Sequence, residues 1–194
     1  MSPGIYVIYP LLNRLIVTDY EIIEGCLNKD PRCQRALFDR YAGKMMGVCL
    51  RYAGDHAEAE DMLQEGFLRI FQNIGQFKFE GAFEGWIRRV VVNAAIRTLE
   101  KKKIQFRELE ENRNDVPRVE ATAYNHLTQE ELLKLINQLP DGYRLVFNLS
   151  AIEGYSHEEI GEMLNIQPGT SRSQLVKARK MLQYQILQLQ KVAV

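Results

Sequence analysis

The chain has 194 residues, of which 46% are apolar and 26% charged, a composition suited to one globular domain or two small ones. No apolar run approaches the roughly 18 residues needed to cross a bilayer, and residues 5–12 lack a basic flank and contain Pro10, so neither a membrane span nor a signal peptide is expected and the chain reads as cytoplasmic. The net charge of zero argues at first against nucleic acid as a partner, yet residues 171–180 hold Arg172, Lys177, Arg179 and Lys180 with no acid, and residues 101–103 are three lysines.

Apolar residues recur at steps of three and four throughout and no segment alternates, so the chain is expected to be all-α, with no sheet. Thr18 with Glu21 forms a capping-box pattern before Ile22, Ile23 and Cys26, and Asp30-Pro31 opens a second helix running through Leu37, Tyr41, Met45 and Val48 until Gly54. Asp55 with Glu58 starts a third helix that reaches about Ile74. Its periodicity turns Met62, Phe67, Leu68 and Phe71 toward the core. A loop with Gly75, Gly81, Phe77, Phe79 and Phe83 follows. A fourth helix then carries Trp86, Ile87, Val90, Val91 and Ala94 into Lys101, Lys102 and Lys103.

From Glu108 to about Glu120 the chain is acidic, contains Pro117 and lacks helical periodicity, as a flexible linker between two cores would. Thr128 with Glu131 caps the next helix, and Pro140 opens another that ends near Gly154. Ser156 with Glu159 begins a short helix ending near Leu164. After the turn from Asn165 to Gly169, a last helix runs from about Thr170 past Leu182. The organisation is therefore a short extension (1–17), a helical domain (18–107), a linker (108–127) and a second helical domain (128–194).

A short helix, a tight turn and a longer basic helix make a helix-turn-helix, whose second helix seats in the DNA major groove. Ile160, Met163 and Leu164 can cover Leu175 and Ala178, and Gly161 is small enough for close approach. Ser171, Arg172, Ser173, Gln174 and Lys177 occupy the first two turns of the last helix, where side chains reach base edges; Arg179 and Lys180 lie farther along, placed for phosphate. A solvated amphipathic helix would also carry basic residues opposite Leu175 and Leu182, so this segment alone leaves that alternative open.

The segment LPDGYRLVFNLSAIEGYSHEEIGEMLNIQPGTSRSQLVKARKML resembles the promoter-reading fourth conserved region of extracytoplasmic-function (ECF) sigma factors of bacterial RNA polymerase. YAGKMMGVCLRYAGDHAEAEDMLQEGFLRIFQNIGQF and FEGWIRRVVVNAAIRTLEKKK resemble the second conserved region, in the order the family requires, and together the two cover most of residues 20–185. The resemblance implies a subunit that binds core RNA polymerase through the β′ clamp helices and the β flap, reads the promoter minus-thirty-five and minus-ten elements, and promotes melting. It also implies an anti-sigma factor as a partner, which can be membrane-bound. Asp61, Gln64 and Glu65 match the family's clamp-helix surface, and their spacing puts them on one helix face. The loop from Asn73 to Phe83 matches the part that holds a base flipped from the melted minus-ten element, with Phe77 and Phe79 as candidate walls. Trp86, Arg89, Asn93 and Arg97 match the face that meets the minus-ten duplex, and Lys101, Lys102 and Lys103 are candidate phosphate contacts.

Family members of this kind begin near a sequence like Val17-Thr18-Asp19-Tyr20, so residues 1–16 have no counterpart and a start at Val17 is expected. The position of Gly161 is more often alanine in the family, a difference expected to leave readout unaffected. Two rivals are a dimeric regulator, for which residues 20–107 resemble neither a sensor nor a dimerisation domain, and a sigma mimic, which would not need Arg172, Lys177 or the three lysines. Cys26, Cys33 and Cys49 are odd in number and never spaced C-x-x-C, which suits buried reduced thiols. His56, His126 and His157 stand alone and no glycine-rich phosphate loop occurs, so no catalytic residue, metal, cofactor or small-molecule substrate is expected.

Overall fold

The computed structural model describes residues 18–106 and 128–192; the extension 1–17 and the linker 108–127 lie outside the described residues. Within these bounds there are eight α-helices and no strand. The first group comprises α1 (Asp19–Leu27), α2 (Pro31–Cys49), α3 (His56–Asn73), a 3-10 turn (Ile74–Gln76) and α4 (Phe83–Phe106). The second comprises α5 (Gln129–Asn137), α6 (Asp141–Phe147), a π-helical turn (Asn148–Ile152), α7 (His157–Leu164) and α8 (Pro168–Val192). No helix among the described residues is long and apolar enough to cross a membrane.

The helix starts follow from local chemistry. Glu21 Oε2 accepts from the Thr18 amide at 2.8 Å while Thr18 Oγ1 accepts from Glu21 N at 3.3 Å, and Thr128 with Glu131 repeats the reciprocal pair. Asp30 Oδ1 accepts from Arg32 N at 2.8 Å, with Pro31 at the first helical position. Asp55 caps α3 by accepting from Glu58 N at 2.8 Å, whereas Glu58 Oε2 reaches back to the amide of Gly54. The last helix begins at Pro168, two residues ahead of the expected Thr170, because proline's fixed φ already suits a first helical turn.

In the first group Ile22, Leu37, Met45, Met62, Ile70, Ile87 and Val91 are fully buried. Helices α3 and α4 pack closest across Gly66, where a Cβ would lie 3.0 Å from Val91 Cγ2. The periodicity of α3 holds for Met62 and Phe67, which are buried, but Leu68 is 56% exposed and does not join the core. Cys26 and Cys49 are buried and Cys33 is half-buried. Desolvation pushes the Cys26 thiol up to about 11 and the Cys49 thiol up to about 12, so both stay protonated at neutral pH.

The second group has its own small cluster of Leu135, Ile136, Leu139, Ala178 and Leu182. Leu145, Val146, Leu149, Ile160 and Leu175 instead belong to the same buried cluster as the residues of α1 to α4, so the two helical groups touch. Fully burying one such side chain contributes about 1.5–3 kcal/mol.

Candidate nucleic-acid interface

Helices α7 and α8 meet through a turn built from few residues. Ser156 and Glu159 form a reciprocal cap, Asn165 takes the left-handed conformation at φ 51°, and the amide of Ile166 donates to Gly161 O at 3.0 Å. A Cβ at position 161 would lie 2.8 Å from the carbonyl oxygen of Ile166, a backbone atom with little freedom to move. An alanine at this position therefore does not fit the turn without a shift. Gly161→Ala should lower stability by about 1–3 kcal/mol through overpacking, read as a fall in the thermal midpoint.

On α8 the residues Arg172, Ser173, Lys177, Arg179 and Lys180 are exposed, while Leu175, Ala178 and Leu182 face inward. Ser171, expected on the reading face, is fully buried and its hydroxyl lies 2.8 Å from His157 Nδ1, so it positions α8 against α7 and cannot reach a base. Gln174 is half-buried beside Gly142. Arg172 Nη2 donates to Glu158 Oε1 at 2.6 Å, and Lys177 Nζ stands 5.9 Å from the centre of the Tyr143 ring. The Arg172 pair is more than half exposed on both sides and so contributes about 0–1 kcal/mol, little hindrance to a competing base edge or phosphate. Val176 is exposed in the middle of this polar face, a position whose apolar character hid it from the sequence reading.

The loop before α4 and the start of α4 enclose a cleft of about 410 Å³ lined by Phe77, Trp86 and Arg89 with Gln76, Lys78 and Glu80. The three polar residues were not singled out from sequence, although their alternation with the aromatics in Gln76 to Glu80 is a usable signal. Phe77 is 8% exposed and packs on Phe79, Phe83 and Trp86, with ring centres 5.0, 5.0 and 5.9 Å away. Phe79 is different. It is 55% exposed, outside the cleft's lining, in the left-handed region at φ 59°, and held between Phe77 and Tyr20. That conformation costs a non-glycine residue about 1–3 kcal/mol and is retained where the surroundings over-determine it.

Arg89, Asn93 and Arg97 are exposed on α4 and continue the line from half-buried Trp86 along one helix face. Lys101, Lys102 and Lys103 fall in the last turns of α4, but their side chains lie outside the described residues. On α3, Asp61 and Gln64 are exposed and Glu65 accepts from Arg69 at 2.6 Å. Leu68 shares their face, three residues beyond Glu65, so the strip is acidic and apolar together, a composition that suits a protein partner better than DNA.

Residues 37–104 match the family model described as Sigma-70 region 2, and residues 129–182 match the one described as Sigma-70, region 4. The chain is similar to the ECF RNA polymerase sigma factor SigW of Bacillus subtilis (strain 168), with 32% identity over 165 residues, 79% of this chain and 88% of that protein. It is also similar to the RNA polymerase sigma-H factor of Pseudomonas aeruginosa, with 26% identity over 174 residues, 84% of this chain and 90% of that one. Among solved structures, the sigma factor RpoE in complex with the anti-sigma factor NepR from Bartonella quintana aligns with a TM-score of 0.51 at 18% identity, over 79% of this chain and 96% of that one, a likeness of fold.

Proposed function

This chain belongs to the ECF sigma factors, the RNA polymerase subunits that recognise promoters and start transcription, and on that premise we propose how its surfaces divide the work. The exposed face of α8 reads the minus-thirty-five element, with Arg172, Ser173 and Lys177 toward base edges, Gln174 at the half-buried margin of that face, and Arg179 and Lys180 on phosphate. The loop cleft, with Phe77, Phe79 and Trp86, takes a base extruded from the minus-ten element. Arg89, Asn93, Arg97 and the lysines 101–103 follow the strand. Asp61, Gln64, Glu65 and the exposed Leu68 dock on the β′ clamp helices, and the second helical group meets the β flap. An anti-sigma factor, such as the one that the solved relative carries, regulates this chain in the cytoplasm, at the membrane if that factor is anchored there. The reading assigns the chain no catalytic step, cofactor or metal.

The observation that carries this reading is the capped helix-turn-helix, whose second helix turns Arg172, Ser173, Lys177, Arg179 and Lys180 outward together. Arg172→Ala is expected to cost about 1–3 kcal/mol and to relax preference at one or two minus-thirty-five positions. Arg179→Ala should weaken all sequences nearly equally and lower the salt slope by about one. Initiation from a library of randomised minus-thirty-five elements, at two salt concentrations, separates the two. An unchanged preference for Arg172→Ala would remove this residue from the reading face.

A further inference from the structure

Helix α8 holds no acidic residue, and its outward face is polar or cationic except at one position. With about 100° of turn per residue, the direction opposite the buried Leu175, Ala178 and Leu182 runs through Ser173 and Lys180, with Val176 and Lys177 to either side. Val176 is 52% exposed and joins neither buried cluster of the described residues. On an ordinary surface a single exposed valine needs no explanation. Here it stands where the helix comes nearest to what it reads, and its side chain can neither donate nor accept a hydrogen bond.

We propose that Val176 selects promoters by packing against the C5-methyl group of a thymine in the minus-thirty-five element. The inference rests on the reading of the chain as a sigma factor whose α8 enters the major groove. In that groove thymine alone carries a methyl group, while the edges of adenine, guanine and cytosine present hydrogen-bond donors and acceptors. A valine pressed against such an edge takes its polar atoms from water and returns no partner. Against the methyl group, both surfaces are apolar and both gain by leaving water. The side chain therefore favours one base and works against the others, which is how an apolar residue carries specificity.

The neighbours of Val176 set its reach and its register. Ser173, one turn earlier, is also short, and a Cβ added at Gly169, a further turn back, would meet nothing within 4 Å. No long side chain on this line holds the first turns of α8 away from the base edges. Arg172 precedes Val176 by four residues, about 6 Å along the helix, which is close to two base-pair steps of about 3.4 Å. The thymine therefore lies about two base pairs from the guanine that Arg172 addresses.

The test uses holoenzyme assembled from the full chain and core polymerase. Initiation from the randomised minus-thirty-five library should select a thymine about two base pairs from the position whose preference Arg172→Ala relaxes. Each thymine of the selected element, on both strands, is then replaced in turn by deoxyuracil, which removes the methyl group and leaves every hydrogen-bonding atom in place. One replacement should lower promoter affinity of the wild-type holoenzyme about fourfold, the value of one methyl-sized apolar group. Val176→Ala should bind the thymine and deoxyuracil templates alike, with its helix content by circular dichroism unchanged. The absence of any methyl-sensitive thymine in the wild type, or the same fourfold loss in Val176→Ala, overturns the role of Val176 and leaves the sigma-factor reading intact. Loss of helix in Val176→Ala would make the residue structural and also overturn it. A wild-type chain that supports initiation from no library member overturns the sigma-factor reading and this inference together.

Discussion

Phe77→Ala is expected to lower the stability of the first helical group by about 3–5 kcal/mol, because it removes the ring on which Phe79, Phe83 and Trp86 converge. At the usual scale for a domain of this size, that loss moves the thermal midpoint down by more than about 10 °C. Phe79→Ala should behave differently. Its ring is mostly in solvent, so the midpoint should hardly move, while open-complex formation with core polymerase should fall by about tenfold, the value of one lost base-stacking contact. Thermal melts followed by circular dichroism, paired with permanganate footprinting of the melted region, resolve the two. If Phe79→Ala melted promoters as well as wild type, Phe79 would be a brace for Tyr20 and Phe77 only, and the base would be held by the cleft alone.

Glu65→Lys should weaken binding to core polymerase by about tenfold to a hundredfold. The reversed charge abolishes the pair with Arg69 and replaces it by a like-charge neighbour one helical turn away, a penalty of about 0.5 kcal/mol to folding. Its expected effect on the partner is larger, since the reversal falls within the strip proposed to dock, with exposed Asp61, Gln64 and Leu68 around it. A polymerase pull-down with helix content checked by circular dichroism measures both. A variant that unfolds would make the acidic strip structural and end its assignment to the clamp helices.

The parts of the fold that the sequence announces are those set by neighbours along the chain. The caps at Thr18, Asp30, Thr128 and Ser156 are legible because each depends on a side chain within three residues of the amide it accepts from. Leu68 and Ser171 were misplaced for opposite reasons. Leu68 lies three and seven residues beyond Glu65 and Asp61, so helix arithmetic assigns it to their face, but its hydrophobicity suggested the core. Ser171 lies four and seven residues before Leu175 and Ala178 and shares their buried face, where the ring of His157 satisfies its hydroxyl. The left-handed backbone at Phe79 has no local signal, because it follows from the rings packed around it. Glu153 is the hardest to foresee, since its partners Arg51 and Arg88 are 102 and 65 residues away and a π-helical turn sets its direction.

The most direct test of the central claim is transcription in vitro with purified bacterial core polymerase, on templates that carry or lack a promoter selected by the polymerase-bound chain. The account predicts a transcript that requires the chain, core polymerase and both promoter elements, with little promoter binding by the chain alone in moderate salt. Tight, sequence-specific binding by the isolated chain as a dimer, with no stimulation of core polymerase, would contradict it.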